Sequence, residues 1–190
     1  MKVNRHGQSE PINEQVYRKI SKYLLQLNHK LIFDIAYYTG ERWGAILQLQ
    51  VSDVYRNANR RQLHDQITFR ANTRKDGTTR QVPINPDLKL RLQAYIPPDI
   101  GYLFPSPTQL GKPLSFRAAS RALERALERA GLKELGYSTH STRRGFITDL
   151  HNKGVAIRVI QSITGHKSLS VLSRYIEVSE QQRYSAIAIR

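Results

Sequence analysis

His140-Ser141-Thr142-Arg143 sets an imidazole three residues ahead of an arginine, at the start of a stretch from Thr142 to Asn152 that reads as a short helix. A helix beginning at Thr142 leaves His140 just upstream, able to share a pocket with the Arg143 guanidinium. Working toward the C-terminus, Thr164-Gly165-His166 puts a second imidazole after a glycine that stops the segment from Val155 to Thr164. Tyr175 follows nine residues later on a short polar helix predicted over Ser170 to Ile176. Working toward the N-terminus, Thr39-Gly40-Glu41-Arg42 closes an apolar segment from Leu31 to Tyr38, and Lys75 falls at the tip of a hairpin whose Asp76-Gly77 is a strong turn signal.

These residue types suit attack on a phosphodiester. Charge that builds on the phosphoryl oxygens must be met by fixed donors, and the planar, permanently charged arginine fork suits that task best. Arg42 and Arg143 are the pair expected to do so; each lies at a predicted helix end beside small residues, Gly40 and Gly44 or Gly145. His140 and His166 have the chemistry to donate to a phosphate oxygen or to take a proton. Tyr175 is the expected nucleophile, selected by position among ten tyrosines, with Tyr184 a weaker candidate. A phenol ionises near pH ~10, so attack at neutral pH needs a proton acceptor and a positive field. Lys75 is placed to protonate the departing 5′ oxygen, because an alkoxide leaves poorly without a general acid. Taken singly, each group has a plainer reading: a solvated or backbone-binding arginine, a capping histidine, a tyrosine packed on Leu172, a turn lysine touching phosphate. His140 and His166 have no third ligand at a familiar spacing, so neither a metal nor a cofactor is expected.

Composition points the same way. The 190 residues amount to about one domain. Thirty Lys and Arg against 15 Asp and Glu leave a formal charge of +15 and a pI near 10.3, which calls for a polyanionic partner. Double-stranded DNA is the expected one. No apolar run approaches the ~18 residues of a spanning helix, and the opening MKVNRHGQSEP carries no apolar signal core, so no membrane is expected and the chain is placed in the cytoplasm, on the nucleoid. Zero cysteines exclude disulfides and thiolate metal sites.

The pattern along the chain is mostly helical. Val16, Ile20, Tyr23, Leu24 and Leu27 recur at helical spacing. A short helix is expected around Ile46, Leu47 and Leu49. From Val51 short β-branched runs follow, ValSerAspValTyr, GlnIleThrPheArg and ThrArgGlnValProIle, which predict a small three-stranded antiparallel sheet. Helices are predicted through Leu88, Leu92 and Tyr95, and from a Ser115 cap through Ala119, Leu123, Ala126, Leu127 and Ala130 to Gly131. Arg117 and Arg121 share one face of that helix and, with Arg74, Arg80, Arg144 and Lys167, are expected to contact the DNA backbone. The apolar tail within 179–190 is expected to dock elsewhere.

Taken together and in order, these boxes resemble the catalytic domain of the tyrosine recombinases, the phage-integrase family. Thr39-Gly40-Glu41-Arg42 with the following Ile46-Leu47-Gln48-Leu49 resembles the first arginine box. Lys75 lies eight residues before Pro83, as the hairpin lysine of that family does. His140 to Arg143 resembles the second box, and Thr164-Gly165-His166 through Tyr175 the histidine and nucleophile segment. The resemblance runs from about Asn13 to Val178. It implies an α+β fold, mostly helical with the small antiparallel sheet, and a covalent 3′-phosphotyrosyl DNA intermediate formed without metal or ATP. It also implies a tetramer on paired sites, each subunit passing its C-terminal segment to a neighbour, and admits an accessory DNA-bending protein as a further partner.

Three departures accompany it. Ala45 stands where many relatives carry an acid three positions after the first arginine. Arg144 replaces a frequent histidine. The usual N-terminal helical clamp domain is absent from the 190 residues, as expected of a catalytic domain cut from a longer protein or of a short member. The leading expectation is therefore a site-specific recombinase or integrase. A type IB topoisomerase-like DNA-relaxing enzyme, or a non-catalytic DNA-binding regulator with a degenerate site, stands as the alternative.

Overall fold

A computed structural model of the chain describes residues 9–74, 77–173, 175 and 180–189. They fall into two compact units, Met1–Phe146 and Ile147–Arg190, the division lying inside one helix.

In the first unit, α1 (Glu14–Tyr23) starts where Asn13 accepts a hydrogen bond from the Val16 N–H at 2.9 Å. Tyr17 and Ile20 are its buried positions and Leu24 is buried at its C-cap, whereas Tyr23 and Leu27 face solvent. The buried face is thus rotated from the one expected, because Leu27 does not belong to α1. It opens α2 (Leu27–Thr39), whose second half is apolar on all sides and buried from Leu31 to Ala36. Asp34 is the polar exception: its carboxyl accepts from the Tyr17 hydroxyl at 2.6 Å, with Arg91 3.9 Å away. Burial raises the Asp34 pKa, opposed by that hydrogen bond and by Arg91. Burial, and then the neighbouring carboxylate, raise that of Tyr17.

α3 (Trp43–Leu47) and α4 (Pro86–Ala94) pack on α2, and α5 (Phe116–Arg129) packs on α1. Ser115 caps α5 as expected, accepting from the Ala118 N–H at 3.2 Å, and Ala119, Leu123, Ala126 and Leu127 are buried.

The sheet differs from the single three-stranded one expected. β1 (Tyr55–Asn57) pairs with β2 (Gln62–Leu63), and β3 (Gln66–Phe69) pairs separately with β4 (Arg80–Pro83), both antiparallel. β3 and β4 run in register from Gln66 opposite Pro83 to Phe69 opposite Arg80, with Ile67, Phe69 and Val82 buried beneath. Val51–Asp53 is a 3-10 turn instead of strand, because Gln50 and Asp53 cap each other and the Asp53 carboxylate accepts from the Gln50 N–H at 2.8 Å. Only Tyr55–Asn57 of that stretch remains extended, and its ladder slips between Tyr55 and Asn57.

The dividing helix is α6 (Ser141–Asn152), one residue longer than predicted. In the second unit α7 (Ile157–Thr164) ends on Gly165, at φ +71° with its N–H donating to Gln161. α8 (Leu169–Ser173) is shorter than the helix expected to reach Ile176, so Tyr175 lies in the turn beyond it; Ile176 itself is outside the described residues. α9 (Glu180–Ala188) exposes Tyr184, Ile187 and, just beyond its end, Ile189. No described helix is long and apolar enough to cross a membrane.

Candidate functional site

The first unit organises its charged residues around the turn that ends α2. Gly40 adopts φ +63°, and its N–H donates to the Ala36 carbonyl at 3.1 Å. Its own carbonyl, freed by that reversal, accepts from Arg143 Nη1 at 2.9 Å. Glycine is required here twice over, since a side chain would strain the left-handed backbone and meet the Phe146 ring. Gly145 answers a different demand. A Cβ there would run into the Ile12 backbone, which crosses α6 closely enough for Ile12 N–H to reach the Ser141 carbonyl at 3.2 Å. The small residues noted beside the two arginines thus have distinct reasons: one turns the chain toward Arg143, the other admits a backbone against its helix.

Arg143 is 4% exposed, Arg42 is half-buried and His140 is exposed. Arg42, Arg143 and His140 line one concavity of about 420 Å³, with Glu41, Ala45 and Arg74 also in its wall. The segment carrying His140 is tied to α3, since Trp43 Nε1 donates to the Thr142 hydroxyl at 3.4 Å and that hydroxyl donates to the Thr139 carbonyl at 3.1 Å. Glu41 is the acid of the concavity. Its Oε1 accepts from the Arg42 N–H at 2.8 Å and its Oε2 pairs with Arg74 Nη1.

One residue expected on the DNA backbone, Arg74, is engaged inside the protein instead. The Arg74 side chain is fully buried against Glu41, which removes the exposure that a backbone contact needs. Arg144 donates to the Ser9 carbonyl at 2.9 Å and is only partly exposed. Arg117 and Arg121 are exposed on α5, and Arg121 lines a neighbouring hollow of about 690 Å³ that also includes Arg125, Lys133 and His140. Arg80 is half-buried in β4, and Lys167 is exposed. Lys75 lies outside the described residues.

In the second unit His166 and Tyr175 are neighbours. Their ring centroids are 5.6 Å apart at a 50° tilt. His166 is 7% exposed, and its Nδ1 lies 2.8 Å from the Thr164 hydroxyl, which donates its single proton to the Ile160 carbonyl at 2.7 Å. Nδ1 must then be the donor toward Thr164, so the neutral ring keeps its lone pair on Nε2. The Tyr175 backbone is held by its N–H to the Leu172 carbonyl at 3.0 Å and by the Thr148 hydroxyl donating to its carbonyl at 3.1 Å. Tyr184, on α9, is 73% exposed.

Glu41 and Thr164 went unnoticed in the sequence. Glu41 sits beside Arg42 but pairs with a residue 33 positions away, which no local pattern announces. Thr164 had a signal, a hydroxyl two residues before His166, which is the reach of a side chain bonding across a turn. Among the described residues no group of three His, Cys, Asp or Glu side chains is placed to hold a metal ion.

A model of the phage integrase family matches residues 10–182. A tyrosine recombinase of Pseudothermotoga lettingae is 31% identical over 163 residues, covering 83% of this chain and 52% of that protein. Tyrosine recombinase XerA of Pyrococcus furiosus is 29% identical over 166 residues, covering 85% and 54% respectively. The chain therefore spans about half the length of these curated relatives. Among solved structures, that of XerA recombinase superposes with a TM-score of 0.73 at 21% identity, over 96% of this chain and 65% of that one. XerH site-specific recombinase bound to its difH substrate gives 0.71 at 21% identity, over 98% and 56%. At that identity the likeness is one of fold.

Proposed function

The chain belongs to the phage integrase family, and from that premise we propose that it cleaves and rejoins double-stranded DNA as a site-specific recombinase, through a 3′-phosphotyrosyl intermediate on Tyr175. Arg42 and Arg143 hold the non-bridging oxygens of the scissile phosphate, and His140 donates to one of them. The Tyr175 oxygen forms a bond to phosphorus as the bond to the 5′ oxygen breaks. The phenolic proton passes to Nε2 of His166, and Lys75 delivers a proton to the departing 5′ oxygen. The energy of the broken bond stays in the phosphotyrosyl ester, so attack by the 5′ hydroxyl of a partner strand reverses the step and frees Tyr175.

One observation carries the reading: Arg42 and Arg143, about a hundred positions apart in sequence, line the same concavity with His140. Convergence of that kind fits preorganised stabilisation of a phosphoryl transition state. The tilted contact between His166 and Tyr175, with the His166 lone pair on Nε2, supports the proton route. The co-crystal of XerH with difH supports DNA as the partner. Exposed Tyr184, Ile187 and Ile189 support the further proposal that the tail docks on a neighbouring subunit in a tetramer on paired sites.

The test is incubation with a pool of nicked duplexes of randomised core sequence, which trap a covalent intermediate because the short strand diffuses away. A denaturing gel is expected to show protein joined to DNA, lost in Tyr175→Phe and kept in Tyr184→Phe. Persistence of the band in Tyr175→Phe refutes the nucleophile, and its absence from the parent chain refutes strand cleavage.

A further inference from the structure

We propose that Glu41 and Arg74 form a buried strut that positions the phosphate-binding Arg42 and the segment leading into Lys75. The inference rests on the strand-cleavage reading above.

A carboxylate inside a concavity built to hold an anion is at first sight a liability, since it repels the phosphate that the arginines attract. Burial adds a second cost, because an ionised carboxylate leaves water only at a large penalty unless paired and hydrogen-bonded. Glu41 is 2% exposed and meets both conditions. Oε1 accepts from the Arg42 backbone N–H at 2.8 Å, and Oε2 pairs with Arg74, whose side chain is fully buried. The Glu41 N–H is held in turn by the Thr39 hydroxyl at 3.2 Å, and that hydroxyl donates to the Ile35 carbonyl at 2.6 Å. The carboxylate is thus rooted in α2, grips the arginine of the first box by its backbone N–H, and reaches 33 positions along the chain to Arg74.

Its two oxygens are engaged by Arg42 N–H and Arg74, so Glu41 acts through those partners and not on the phosphate. Ala45, 4% exposed in the same wall, carries no charge that could do this. Glu41 is a positioning residue: it fixes where the Arg42 guanidinium starts and where the chain runs at Arg74. A displacement of about 1 Å among such groups can cost roughly 100-fold in rate.

The experiment compares the parent chain, Glu41→Gln and the double variant Glu41→Met with Arg74→Met. Single-turnover cleavage is followed on a nicked duplex recovered from the trapped pool, with melting followed by circular dichroism. Glutamine keeps an acceptor for Arg42 N–H but removes the negative charge that Glu41 sets against the buried Arg74. The double variant removes both charges at similar volume, an exchange that buried pairs often tolerate without loss of stability. Positioning predicts that both cut the limiting cleavage rate roughly 10- to 100-fold, with the half-saturating DNA concentration within about 2-fold of the parent. It also predicts that the double variant stays slow even where its melting temperature matches the parent. Recovery of parental rate with parental melting in the double variant, or a loss confined to half-saturation, overturns the proposal. If Glu41→Gln fails to fold, the double variant decides alone. A parent chain that forms no Tyr175 adduct refutes the cleavage reading itself, whereas a cleaving parent with unimpaired variants refutes only the strut.

Discussion

The arginine concavity of the first unit and the His166–Tyr175 pair of the second are built on different principles. Arg143 is buried and anchored on the Gly40 carbonyl, and the turn that carries Arg42 is braced by Thr39, Glu41 and Arg74. Tyr175 sits in a turn beyond a five-residue helix, half-exposed, held through its backbone by Leu172 and Thr148. Groups that stabilise developing charge act best when they need no rearrangement at the moment of reaction, and deep anchoring supplies that. In the proposed mechanism the nucleophile becomes a covalent ester and carries the DNA on its own side chain, and Tyr175 has its hydrogen bonds on its backbone while its ring only leans on His166. The comparison teaches that fixed charge and reactive oxygen are stabilised separately, so they should respond to mutation in separate ways.

The largest expected effect breaks the fixed side. Arg143→Ala should lower the single-turnover cleavage rate by about 100- to 1,000-fold, the loss typical of one preorganised donor at an oxyanion, while leaving the His166–Tyr175 pair intact. A rate within 10-fold of the parent would mean that this guanidinium does not carry the charge. Next in size, Gly40→Ala places a Cβ in the left-handed region and against Phe146. The two costs together should lower unfolding free energy by about 2–4 kcal/mol, measured by urea denaturation.

A smaller change sharpens the other side. Thr164→Val removes the acceptor that fixes the His166 tautomer and should cut cleavage roughly 10-fold, the order of effect seen when an orienting partner of a histidine is lost. DNA affinity in a filter-binding assay should not change. The smallest effect lies away from both regions. Burial raises the Asp34 pKa, so its contribution to stability is complete below the ordinary carboxylate value near 3.8 and is lost as pH rises through the elevated one. Stability measured across that window should decline by at most about 1.4 kcal/mol per pH unit from this group. Asp34→Asn, which still accepts from Tyr17, should flatten the slope.

The same contrast explains how much of the molecule could be read from its residues. Features fixed by neighbours in sequence were legible: the Ser115 cap and buried stripe of α5, the Gly40 and Gly165 stops, and the Asp76-Gly77 turn signal between strands that do pair. The 3-10 turn at Val51–Asp53 was missed although Gln50 and Asp53 stood at capping distance, because β-branched content outweighed a two-residue signal. The two-residue β2 has no β-branched run to announce it, so the separate pairing of β1 with β2 was not legible. Features fixed by distant partners were not legible. Nothing beside Arg74 foretold that it would be buried on Glu41, and nothing beside Arg144 foretold the Ser9 carbonyl. In a chain with 30 Lys and Arg, composition marks nearly every cation as a DNA contact, and only burial separates those that brace the fold from those that face solvent.

The central claim is that Tyr175 joins the 3′ end of a cleaved strand at a phosphate held by Arg42 and Arg143. Tandem mass spectrometry of the protease-digested covalent complex tests it most directly. The account predicts a nucleotide linked through phosphate to Tyr175, with a free 5′ hydroxyl on the released strand and no such peptide from Arg143→Ala at matched times. Linkage to another residue, attachment at a 5′ phosphate, or a complex formed equally well without Arg143 would contradict it.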